Sequence, residues 1–192
     1  MRKISVCLIL LAFMAACMSS PEKQYFQLYL APQNAADGPR FDTVLLVEPI
    51  LVDDLYEDFQ IIYRLSPYEM NYYSYVFWAE NPSVMVRNAL IHYFQETQIF
   101  RKVIREFSAG EPDLILKARV HALEEIDRPG QWYARLSMEL EIVDFESSSV
   151  LKSHRFDRNE PLPRSDVSEL PKAISRILRE EIGRLLEKLK DY

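Results

Sequence analysis

Glycine is nearly missing from this chain. Four occur in 192 residues, Gly38, Gly110, Gly130 and Gly183, and none stands near another. A loop that cradles phosphate needs several glycines close together, so neither a P-loop nor a dinucleotide fingerprint can be built. Any ATP hydrolysis linked to this protein belongs to a partner. Cysteine is scarcer still, at Cys7 and Cys17 alone. Cys7 sits in an apolar leader expected to be removed. That leaves no internal disulfide, no thiol catalysis and no cysteine-based metal site. The histidines are His92, His121 and His154, with no His-x-x-x-His spacing. They are expected to be exposed or hydrogen-bonded. The alternative is a zinc site made from two of them and a carboxylate. No Gly-x-Ser-x-Gly elbow is present to support a hydrolase. Basic charge is also short: 23 Lys and Arg face 29 Asp and Glu, a formal −6. Losing Arg2 and Lys3 with the leader takes the balance from −6 to −8. Such a chain disfavours nucleic acid and has no general attraction to anionic headgroups, local spots such as Arg101, Lys102 and Arg105 aside. Beyond Cys17 no further run of about 18 apolar residues occurs that could span a membrane.

The chain does hold a leader. Arg2 and Lys3 are followed by an apolar run over 4–16, and Ala15 and Ala16 lead into Cys17. The run is too short to span a bilayer and has the form of a signal peptide. A cleavage site abutting cysteine resembles a bacterial lipoprotein signal, in which the thiol is lipidated and the chain is cut just before it. Met14 departs from the leucine more usual there. The alternative is an ordinary secretory signal with a free Cys17. The expected organisation is a signal peptide over 1–16, a lipidated cysteine and short tether over 17–24, and a single domain over 25–192. No cofactor is expected beyond the covalent lipid on Cys17. One acyl chain holds weakly and stable anchoring takes more than one; bacterial lipoproteins usually carry three. Met18, rather than Asp, follows the cysteine. By resemblance to sorted lipoproteins, that favours the periplasmic face of the outer membrane. The seven residues 18–24 reach at most about 25 Å, so the domain stands close to its anchor.

From Tyr25 onward the pattern is mostly strand. Residues 25–30 alternate weakly, 43–50 are apolar on both faces, and 60–65 and 70–78 form two further strands, the second dense in aromatics. Asn81-Pro82 opens a helix: an N-cap, then proline where no donor is needed. Val86, Ala89, Leu90, Tyr93, Phe94 and Thr97 make its apolar stripe. A short strand is expected over 99–107. In 113–126, Leu114, Leu116, Ala118, Val120 and Ala122 alternate with Ile115, Lys117, Arg119, His121 and Leu123. Pro129-Gly130 suits a type II turn into a second alternating strand that buries Trp132, Ala134, Leu136, Met138, Leu140 and Ile142. A strand over 150–156, a loop at Pro161 and Pro163, and a helix over 168–190 follow. The stripe of that helix is Leu170, Ile174, Ile177, Leu178, Ile182, Leu185, Leu186 and Leu189. The fold class is therefore α+β: a largely antiparallel or mixed sheet with two amphipathic helices on one face.

Two acidic groups invite a metal reading. Asp53, Asp54, Glu57 and Asp58 lack the arrangement of a dedicated calcium loop and are expected to form a solvated turn. Glu124, Glu125 and Asp127, close to the hairpin turn, are expected to be solvated likewise. The aromatic run Tyr63, Tyr68, Tyr72, Tyr73, Tyr75, Phe77 and Trp78 holds more rings than one strand face can bury. Its surplus is expected to be exposed as a partner surface. The alternative is that a loop or the helix after Asn81 covers it. Tyr63, Arg64, Tyr72, Tyr73, Tyr75 and Trp78 are the contact residues expected there.

The order of pieces between Val44 and Val103 carries a family resemblance. It runs Val47-Glu48-Pro49, Leu55-Tyr56, Gln60-Ile61-Ile62-Tyr63-Arg64, Trp78-Ala79-Glu80, the helix over 84–95, and Phe100-Arg101-Lys102-Val103. This resembles the ABC-type transport auxiliary lipoproteins, the PqiC-like lipoproteins. Asp58-Phe59 stands where the family commonly has Arg, and the Pro that often follows Trp-Ala-Glu is displaced to Pro82. The resemblance implies an α+β fold and a non-catalytic periplasmic component, with assembly into homo-oligomers as a further implication. It also implies partnership with an MCE-domain protein of an ABC transport system, with its permease and ATPase, in moving lipids or other hydrophobic molecules. A lipid-binding carrier acting on its own is the alternative function, and a periplasmic hydrolase has least support.

Overall fold

The computed structural model describes residues 21–32, 40–163 and 165–190. The expected signal peptide, Cys17 and the tether up to residue 20 lie outside them. Along the chain come β1 (Gln24–Phe26), β2 (Phe41–Val47), β3 (Leu51–Val52), β4 (Gln60–Ser66) and β5 (Glu69–Trp78). Then follow α1 (Pro82–Thr97), β6 (Phe100–Ile104), β7 (Leu114–Arg128), β8 (Gln131–Asp144), β9 (Val150–Pro161) and α2 (Leu170–Lys188).

β7 is the spine of the sheet. One edge pairs antiparallel with β8, and β8 pairs in turn with β9. The other edge receives β2, β3 and β4 one after another, all parallel. Fifteen residues of strand span about 50 Å, long enough to seat three short strands end to end. β2 then extends to β6, and β4 to β5 and β1. The α+β class holds, and the sheet is mixed: β1–β5, β2–β6 and the three pairings along that edge of β7 are parallel. The order of the chain suggests neighbours side by side. Instead, β2, β3 and β4 line up along a strand made much later in the sequence.

Local chemistry explains the regular elements. Asn81 Oδ1 accepts from Ser83 N at 3.0 Å, Pro82 follows it, and Gln98 ends α1 at φ 52°. The expected stripe of α1 is buried, together with Met85 and Ile91. In α2 every stripe residue from Leu170 to Leu189 is buried, and a 3-10 turn over Val167–Glu169 leads into the helix. Each buried Leu or Ile of that kind contributes about 1.5–3 kcal/mol relative to exposure. Gly130 has φ +83°, the positive value its turn position requires, and Arg128 pairs with Gln131 across the hairpin. Both helices and the inward residues of β7 and β8 share one core. A smaller cluster of Val44, Leu46, Ile104, Ile115 and Val143, with Phe145 against it, lies apart from that core.

Three expectations change. β9 runs on to Pro161 instead of ending near Phe156, because its alternating charged residues keep pairing with β8. Only Gln24–Phe26 of the first segment is strand; residues 27–31 leave the sheet and cross α2, with Tyr29 N donating to Ser175 Oγ at 3.1 Å. The alternation of β7 is broken by a register shift between Val120 and Ala122. A bulge inserts one extra residue and flips the phase beyond it. Leu123, expected on the polar side with His121, is therefore buried opposite Leu136.

Candidate functional site

The six residues expected at a partner surface divide between two environments. Trp78 is 1% exposed and belongs to the core. Tyr63 and Tyr73 meet with ring centroids 4.8 Å apart, and both are half-buried. Arg64 turns into the sheet toward Glu124. Tyr72 and Tyr75 stand outward, at 40% and 42% exposed, and Tyr68 at the β4–β5 turn is fully exposed. Alternation at the end of β5 puts Val76 and Trp78 in the core and Tyr75 and Phe77 outward. A register shift against β4 between Phe77 and Tyr72 reverses the phase, so that Tyr72 also faces out while Tyr73 turns to Glu125. Tyr25 of β1 stacks on Phe77 at 5.6 Å and extends the outward row.

Beside β4, on β7, lies a feature that the sequence alone does not show. Glu124 and Glu125 are both 0% exposed, not solvated at a hairpin end. Glu124 sits between two arginines. Arg64 Nε donates to its Oε1 at 2.9 Å, Arg135 Nη1 donates to the same oxygen at 2.9 Å, and Tyr56 Oη donates to Oε2 at 2.8 Å. Burial and the adjacent Glu124 push the Tyr56 phenol up to about 12. Arg135 also forks onto Asp157 at 2.9 and 2.8 Å, which holds that carboxyl below its usual range. Burial of a charge is tolerable only with such pairing. Glu125 is held differently. Tyr73 Oη donates to its Oε1 at 2.9 Å, while Oε2 is buried without a hydrogen-bond partner among the described residues. Burial pushes Glu125 up to about 7, against the opposing hydrogen bond from Tyr73. Arg64 and Arg135 border an open cleft of about 700 Å³ that also includes Pro67, Ile126 and Asn159. Arg64 and Arg135 are paired with their carboxylates, and Arg128, which also lines the cleft, lies 5.3 Å from the Tyr133 ring centroid.

The remaining candidates are structural. Asp53 of the acidic turn is tied to Arg119 at 3.2 Å and to His121 Nδ1 at 3.1 Å, while Asp54, Glu57 and Asp58 are exposed as expected. The hydrogen bond from His121 and the ion pair with Arg119 lower the Asp53 carboxyl. His92 is exposed. His154 accepts from Lys188 Nζ at its Nδ1, 3.0 Å away, which leaves the ring proton on Nε2 facing Glu181 at 2.6 Å. Glu181 is 0% exposed, a buried acid within the α2 stripe that apolar periodicity alone did not reveal. Among the described residues no group of three or more His, Cys, Asp or Glu is placed to hold a metal ion. No helix among them is long and apolar enough to cross a membrane.

Comparison with solved structures shows the same fold elsewhere. A crystal structure from Xanthomonas campestris aligns with a TM-score of 0.73 at 15% identity, covering 88% of this chain and 96% of that one. A second, of an uncharacterized protein, aligns at 0.69 and 16% identity, covering 88% and 99%. A hypothetical protein of Chlamydia trachomatis aligns at 0.50 and 8% identity, covering 79% and 97%. At such identities the likeness is one of fold. No curated protein matches the chain. The model of the ABC-type transport auxiliary lipoprotein component matches residues 26–183, from β1 into the later turns of α2. That span takes in the strand order, the buried carboxylates and the aromatic edge together, and the chain belongs to the family of ABC-type transport auxiliary lipoprotein components.

Proposed function

We propose that this protein is a non-catalytic, lipid-anchored periplasmic component of an ABC transport system of the MCE kind. It stands at the outer membrane through Cys17 and docks the MCE-domain protein that reaches across from the permease and ATPase. The cargo class is lipids or other hydrophobic molecules. The family match over residues 26–183 carries the proposal. The isolated glycines support it, because the energy-coupling step is left to a partner. Packing favours docking over an independent lipid carrier. The apolar stripe of α2 and the inward face of β8 are spent on each other, with Leu136, Met138, Leu140, Ile174 and Ile177 all fully buried.

The anchor gives one test. Cys17→Ser, exported at wild-type abundance, is expected to keep the circular dichroism and unfolding profile of the acylated domain. It is also expected to fail to restore the envelope barrier in cells lacking the protein. Full restoration by the freely soluble form would contradict the proposal.

A further inference from the structure

We propose that the outward aromatic edge of β1 and β5 is the surface on which the domain rests against the phospholipid headgroups of the membrane that anchors it. The inference depends on acylation of Cys17.

The chain enters the domain at this edge. Gln24 pairs with Val76 and Phe26 with Trp78, parallel, so residues 21–23 arrive beside β5. Lys23 Nζ lies 5.5 Å from the Phe77 ring centroid. Cys17 stands four residues before Pro21, so its Cα is within about 15 Å of that of Pro21. A lipid on Cys17 therefore brings the bilayer surface to this edge before any other part of the fold.

The side chains waiting there suit such a surface. Tyr25 is 61% exposed, and Tyr72 and Tyr75 are also exposed. Tyrosine combines an apolar ring with a polar tip and collects at membrane–water interfaces, where one end is dry and the other wet. A lysine over the rings adds a cation at headgroup depth. β1 covers the outer edge of β5 only over Val76–Trp78, so the edge beside residues 69–75 carries no strand among the described residues. The polar backbone groups there stay hydrated at headgroup level, and the rings rather than the backbone enter the lipid. The acidic balance of the chain is no obstacle, because this contact rests on aromatic partitioning and needs no anionic lipid.

Fluorescence quenching from the bilayer tests the seat. The full acylated chain carries Tyr72→Cys, Tyr75→Cys or Val150→Cys in turn, labelled with one thiol-reactive fluorophore. Each is reconstituted in phosphatidylcholine–phosphatidylethanolamine vesicles containing headgroup spin-labelled lipid. Val150 is the control: it is exposed, and its pairing through Val143 to Ile115 puts it about 30 Å along β7 from Glu124, beside which Ile62 and Tyr72 lie. Quenching several-fold stronger at positions 72 and 75 than at 150 is expected. Equal quenching at all three positions, or stronger quenching at 150, overturns the proposal. Labels at 72 and 75 shielded from both the lipid quencher and aqueous iodide also overturn it, since a second copy or a protein partner then covers the edge. Mass spectrometry of the same samples reports the acyl groups on Cys17. If they are missing, the anchor fails, and the seat with it.

Discussion

Two adjacent glutamates show how far a single residue's fate depends on what lies across the sheet. Neighbours on a strand point to opposite faces, so Glu124 and Glu125 enter different surroundings. Glu124 is fully paired, and its loss would leave Arg64 without its carboxylate and Arg135 with Asp157 alone. Glu124→Ala is expected to cost about 3–5 kcal/mol, measured by urea unfolding at neutral pH. Glu125 is raised to about 7, above its unfolded value near 4.5. Between those two pH values the folded chain holds a proton that the unfolded chain has released, so stability falls as pH rises through the window and levels off above it. Glu125→Gln should flatten that slope. The loss removed between pH 5 and pH 8 is up to about 3 kcal/mol, and an unchanged slope in the variant would assign the pH dependence elsewhere. Neither role was legible in the sequence. Arg64 lies 60 residues from Glu124 and Arg135 lies 11 away, so a pair of acids near a hairpin turn has the appearance of a solvated end. Glu181 was hidden for a related reason: its partners His154 and Arg158 come from β9, not from its own helix.

At the scale of elements, what repeats locally was legible and what pairs at a distance was not. α1, α2 and the β7–β8 hairpin each announce themselves by periodicity and by a cap or turn residue. The cap of α1 has a measurable share: Asn81→Ala removes the acceptor for Ser83 N and is expected to cost about 1 kcal/mol, read as a lowered midpoint of chemical unfolding. An undiminished midpoint would mean that Pro82 and the buried stripe start the helix unaided. The bulge near His121 leaves no mark on composition. It is nonetheless what moves Leu123 into the core and sends Glu124 to the other face. The end-to-end seating of β2, β3 and β4 is equally silent, because each is short and meets its partner only once β7 has been made. The aromatic run was legible as a surplus but not in its division. The irregularity in β5 between Tyr72 and Phe77 decides it: Trp78 is core, and Tyr72 as well as Tyr75 faces outward.

For the molecule as a whole, the distance between anchor and domain matters most. With the anchor proposed at Cys17, only six residues precede Gln24, a reach of at most about 25 Å that gives the domain little room to search. On the proposed anchoring, the partner comes to the domain, and the edge at which the chain enters sets the domain's orientation. The acidic balance disfavours nucleic acid as a partner. These features suit a fixed docking component whose energy source lies elsewhere. Mild solubilisation of the membranes, capture of the tagged and acylated protein, and mass-spectrometric identification of what accompanies it test that account most directly. An MCE-domain protein, with its permease and ATPase, is the predicted company. A folded, acylated protein that is captured at native abundance with none of the three would contradict it.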